Sequence, residues 1–131
     1  MKHFLILFFC FSSLLSKNYE LQLYETIFTN LFHKKTIKLY TDNPSLFYKN
    51  KVFVLQQNCL KADLLIISNF NKLPKKCLNK PIFTTSYKKY LDYQVIGAFY
   101  WRKGRPQLKF NIKNLKKYKL FLNQTLKGYA K

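Results

Sequence analysis

Between Tyr19 and Phe32 the apolar residues Tyr19, Leu23, Ile27 and Leu31 recur every four positions, with Tyr24 and Phe28 beside them. That spacing predicts an amphipathic helix of about 14 residues. The pattern then changes period. In "KTIKLY" Ile37 and Leu39 alternate with polar residues as a strand does, and "TDNPS" ends the strand with Asn-Pro and Asx turn chemistry. "KVFVL" (51–55) reads as a second short strand. "ADLLIIS" (62–68) holds four consecutive large apolar residues between polar ones, the pattern of a parallel strand covered on both faces. "NFNKLPKKCL" (69–78) is too polar for a core strand and reads as a short helix or irregular crossover. "PIFTTS" (81–86) is a further buried strand, with Pro81 at its first position, where the missing N–H is tolerated. "YKKYLDY" makes one or two helical turns. "QVIGAFYW" and "PQLKFNI" flank "RKGR" as two strands and a turn, and the final segment holds a helix or two with Leu115, Tyr118 and Leu126 inward.

Strands alternating with helical segments and closing on a hairpin predict an α/β fold. Its sheet is mostly parallel and flanked by helices, with a C-terminal β-hairpin and a terminal helix.

The segment ahead of the first helix changes the picture. Lys2 and His3 precede an apolar run from Phe4 to Leu15, followed by Ser16 and the polar "KNYE". This is the outline of a secretory signal peptide, residues 1–16, with cleavage near Ser16. The run is 12 residues long, short of the ~20 that a membrane-spanning helix needs. The remaining residues, 17–131, suffice for one domain with a single core.

That remainder carries 23 Lys and Arg against five acids, a formal charge of +18. Such a field favours anionic partners: an acidic protein face, an anionic membrane surface or an envelope polymer. Only Arg102 and Arg105 are arginines, whereas bidentate phosphate recognition prefers that residue. Export also separates the chain from chromosomal nucleic acid, so nucleic-acid binding is not expected, although "FYWRK" combines aromatics and cations.

Catalytic chemistry finds little to stand on. His33 is the sole histidine after residue 16 and closes the first helix, and the acids Glu20, Glu25, Asp42, Asp63 and Asp92 are scattered. Glycines are too few for a phosphate-cradling loop. No Cys-x-x-Cys or His-x-Cys spacing points to zinc. The expectation is a protein that is not an enzyme, with no cofactor and no metal. Two cysteines remain, Cys59 and Cys77. An even count in an exported chain suggests one disulfide, the alternative being two buried or unpaired thiols.

The order of elements resembles the YfiR-like family of small periplasmic regulatory proteins. The resemblance rests on "YELQLYETIFTNLF" for the first helix, "IKLYTDNPSLF" for the first strand and turn, "KADLLIIS" for the Asp-led strand and "PIFTTS". It extends through "VIGAFYWRKGRPQLKFNI", with Gly104 and Arg105 at the turn, to the Leu-rich "NLKKYKLFLNQTLKGYA". It implies a periplasmic repressor that binds the periplasmic domain of an inner-membrane signalling protein such as a diguanylate cyclase. It also implies a role for disulfides, and Cys59 and Cys77 would lie at the same end of neighbouring strands.

Tyr100, Trp101, Arg102 and Arg105 are the expected partner contacts, because aromatics and arginine dominate binding hot spots. A homodimer is compatible with this reading. The rival is a binding module for an anionic solute or envelope polymer, its pocket lined by lysine and serine at the strand ends, with Ser68, Thr85 and Ser86.

Overall fold

A computed structural model describes residues 19–129; the expected signal segment, residues 1–16, lies outside them. Residues 19–32 are helical (α1). Six strands among the described residues form one sheet: β1 (Ile37–Thr41), β2 (Phe53–Leu55), β3 (Leu64–Ile67), β4 (Ile82–Thr84), β5 (Gly97–Arg102) and β6 (Arg105–Phe110). Two further short helices are α2 (Tyr87–Asp92) and α3 (Ile112–Lys117). The strand order is β2-β1-β3-β4-β5-β6. The first five strands pair in parallel and β6 runs antiparallel to β5. The protein is therefore an α/β fold built on a mostly parallel sheet.

Alternation in the strands sorts side chains between two cores. Ile37, Leu39, Phe53, Leu64, Ile66, Phe83, Phe99 and Phe110 face α1 and the C-terminal segment. Leu65, Ile67 and Ile82 face the other way and are covered by Cys59, Ala62, Phe70, Leu73, Cys77 and Val95. β3 is buried on both faces, as its unbroken apolar run predicts.

The inward face of α1 consists of Tyr24, Ile27, Phe28 and Leu31, while Tyr19 is half exposed. The expected stripe is thus corrected only at its start: Tyr24, Ile27, Phe28 and Leu31 face inward as expected, Leu23 packs at the edge of the same core, and Tyr19 does not face inward. A row of every fourth residue drifts by ~40° per step around a helix with 3.6 residues per turn, so the two ends of such a row cannot both face the sheet. Edge-on aromatic contacts then fill the larger core. The rings of Phe28 and Phe83 lie 5.2 Å apart, and those of Tyr24 and Phe99 5.8 Å apart.

The segment expected as a helix or crossover after β3 forms two single 3-10 turns, Phe70–Lys72 and Lys75–Cys77. Asparagine and serine start the short helical pieces. Asn58, Asn69, Ser86 and Asn111 each accept a hydrogen bond from a backbone N–H two or three residues on, satisfying donors that a short helix cannot. Cys59 and Cys77 form a disulfide across the second face, with their α-carbons 6.1 Å apart.

Gly97 is required by packing. A Cβ there would sit 2.6 Å from the Lys109 carbonyl oxygen and 2.9 Å from the Phe110 ring.

Candidate functional site

β5 and β6 pair from Gly97↔Phe110 to Arg102↔Arg105, leaving Lys103 and Gly104 as a two-residue turn. Both have positive φ, 53° and 75°, as the tight turns that match strand twist demand. Glycine meets this requirement without strain, and Lys103 is held there by the pairing on either side.

Cross-strand partners share a face. Trp101 and Pro106 lie on the α1 side, where the Trp101 ring meets Phe99 edge-on at 6.1 Å and is 50% exposed. Arg102 and Arg105 lie directly opposite each other on the other side, and both are exposed. Like charges so placed destabilise a hairpin. With Lys103 between them, the tip concentrates three cations, and neither arginine forms an ion pair among the described residues.

Of the four expected contact residues, Trp101, Arg102 and Arg105 reach solvent at this tip. Tyr100 does not: it is 7% exposed, lies on the opposite face from Trp101 and packs against Tyr87 at 5.1 Å between ring centres. The expectation for Tyr100 is corrected for that reason. α2 covers this part of the β5 surface, and the Lys109 ammonium lies 4.9 Å from the Tyr87 ring centre.

The strand ends offer a second place to look. The chain runs outward from β1 to β2 and returns past β1 to β3; in open α/β sheets ligands bind beyond the carboxyl ends of strands at such a reversal. Here the Asp42 carboxylate occupies that position, accepting hydrogen bonds from the N–H groups of Ser68 (3.0 Å) and Asn69 (2.7 Å). The Ser68 and Thr85 hydroxyls share a hydrogen bond of 2.5 Å, and Ser86 caps α2.

The adjoining pocket holds about 20 Å³ and is lined by Glu20, Tyr24, Thr41, Asn43, Ser68 and Thr85 among others, with no lysine. That admits about one water molecule. A wider groove of about 400 Å³ beyond β1 and β2 is lined by Tyr40, Tyr48, Gln56 and Gln57 and also lacks a cation. Neither has the lysine lining expected for an anionic solute.

No protein-family model, curated protein or solved structure matches the chain.

Inside the small pocket Tyr24 donates a hydrogen bond of 3.1 Å to Glu20. Burial raises the Glu20 carboxyl above its ordinary value of 4.5, and the hydrogen bond from Tyr24 offsets part of that rise. Burial, with the neighbouring Glu20 charge and hydrogen bond, holds the Tyr24 phenol neutral far above its ordinary range. Because the folded protein keeps the Glu20 proton to higher pH than the unfolded chain, this residue makes stability fall as pH rises from about 4.5 through the raised folded value. Glu20→Gln keeps an acceptor for Tyr24 and removes that fall. Urea melts from pH 4 to pH 7 should show the variant gaining on the parent as pH rises and then levelling off; a constant difference counts against the assignment.

Asp63 has a structural role at the other end of the sheet. It accepts a hydrogen bond of 3.0 Å from the Lys38 N–H and pairs with Lys34 at 3.4 Å. His33 ends α1 with φ of 54° and is exposed. Among the described residues no three His, Cys, Asp or Glu side chains are grouped to hold a metal ion. No helix among them is long and apolar enough to cross a membrane.

Sequence reasoning missed the Asp42 contact and the groove formed by the C-terminal segment. Asp42 carried only a turn signal, and its carboxylate reaches amides 26 and 27 residues away.

Proposed function

We propose that this protein is an exported, non-enzymatic binding protein of the periplasm, acting as a regulator of an inner-membrane signalling protein in the manner of the YfiR-like proteins its sequence resembles. It docks the β5–β6 tip on an acidic face of that partner's periplasmic domain. The observation that carries this reading is the half-exposed Trp101 beside the opposed Arg102 and Arg105. An aromatic anchor on a rigid hairpin is ready for burial, and like charges without an acidic neighbour gain most from an anionic partner. The disulfide is compatible with an oxidising compartment, and the basic surface steers encounter with an acidic one.

The test is photo-crosslinking from position 103 in intact envelopes, followed by affinity measurement against the captured domain. Trp101→Ala should weaken binding by about 30-fold or more, the scale of a hot-spot residue. Arg102→Glu with Arg105→Glu should slow association and reverse its salt dependence. Unchanged affinity in the triple variant sinks the reading, as does a mature N-terminus still at Met1.

A further inference from the structure

The C-terminal segment carries a feature that the hairpin does not use. α3 is closed by Lys119 in the left-handed conformation, φ 59°. The Leu120 N–H bonds to the Leu115 carbonyl and the Lys119 N–H to the Lys116 carbonyl, each at 3.0 Å. This is the Schellman pairing, which brings together the side chains three residues before the helix end and two after it. Leu115 and Leu120 are those side chains, and both are buried. The reversal leaves the next residue, Phe121, 64% exposed, and Ile112 at the start of α3 is 41% exposed. Together with Lys116 and Lys127 these residues line an open groove of about 390 Å³.

Charge selects what covers it. Residues 112–131 hold six lysines and no acid. An ammonium is a point charge on a flexible stem, suited to a diffuse layer of anionic headgroups, whereas geometric recognition of carboxylates on a protein favours arginine. A protruding phenyl ring surrounded by lysines is the chemistry of surfaces that rest on anionic bilayers, the ring entering the acyl boundary while the cations meet headgroups. We infer that this segment is a second docking surface, independent of the hairpin, and that its occupant is an anionic lipid bilayer surface. It would hold the protein against the membrane in which its proposed partner resides.

The experiment is vesicle flotation of the full chain with phosphatidylcholine alone or mixed equally with phosphatidylglycerol. Binding should be confined to the anionic vesicles and should fall steeply from about 0.1 M to about 1 M salt, as the screening length drops from ~10 Å to ~3 Å. Phe121→Ser should weaken it by about tenfold or more, and Lys116→Gln and Lys127→Gln by about fivefold each. Trp101→Ala should leave it unchanged, so this inference and the hairpin reading fail separately. Phe121, Lys116 and Lys127, like Trp101, are exposed, and near-ultraviolet circular dichroism verifies that the variants remain folded. Residues 1–16 are the same in every variant, so binding through them leaves the variant that combines Phe121→Ser, Lys116→Gln and Lys127→Gln equal to the parent. That result overturns the inference, as does equal binding to neutral vesicles or no binding at low salt.

Discussion

Phe83→Ala should destabilise the protein by about 3–5 kcal/mol, the range for deleting a buried aromatic side chain. Phe83 is fully buried in the middle of β4, with the rings of Phe28, Tyr24 and Phe110 at 5.2, 5.8 and 6.2 Å. The site has little freedom to collapse. β4 is hydrogen-bonded to β3 on one side and β5 on the other, and α1 is held by its own contacts with Phe47, Phe53 and Phe99. The urea midpoint should fall with the slope unchanged, since the surface exposed on unfolding is nearly the same. A loss below about 1 kcal/mol would mean that α1 is not packed on this face, because a surface phenylalanine costs that little. Phe121→Ala, on a largely exposed residue, is the internal contrast.

Removing the Cys59–Cys77 bridge should cost about 3 kcal/mol, the chain-entropy value for a loop near the 18-residue separation of this pair. The cysteines lie in the 3-10 turns Cys59–Lys61 and Lys75–Cys77, which cover Leu65, Ile67 and Ile82 on the face away from α1. Few backbone hydrogen bonds hold such turns, so the covalent link supplies much of their order. Both cysteines are buried, so Cys59→Ala with Cys77→Ala is the cleaner variant; serine would add a buried hydroxyl. Urea melts of the double variant, and of the parent with and without reductant, should agree on the loss. Amide exchange should quicken first between residues 58 and 80. An unchanged melt on full reduction, verified by thiol titration, would contradict the role of the bridge.

The α/β architecture was legible because strand periods and apolar runs are local properties. Ile37 and Leu39 alternate, and residues 64–67 do not, which distinguishes a strand with one covered face from one with two. Gly104 marked the hairpin turn on its own. Lys103 did not announce its positive φ, since only the paired strands impose it. Tyr19 fell outside the inward face of α1 because the phase of a helix stripe depends on where the sheet lies. Tyr100 misled for a related reason: alternation assigns it a face but says nothing of α2 arriving to cover that face. The Asp42 contact depends on a pairing formed only after the chain has folded back, and the groove beside Phe121, although local, depends on the positive φ of Lys119, which a lysine does not announce.

The order of strands leaves β2 and β6 at the sheet's two borders, each with a row of backbone groups able to recruit a foreign strand. β2 offers only three residues. β6 is longer, but Pro106 removes one donor from its row, and Arg105 and Lys109 add charge along it. Proline and charge on an exposed border are the usual guards against edge-to-edge aggregation. Strand addition along the hairpin's open border is therefore disfavoured, and the edge is guarded against seeding fibrils.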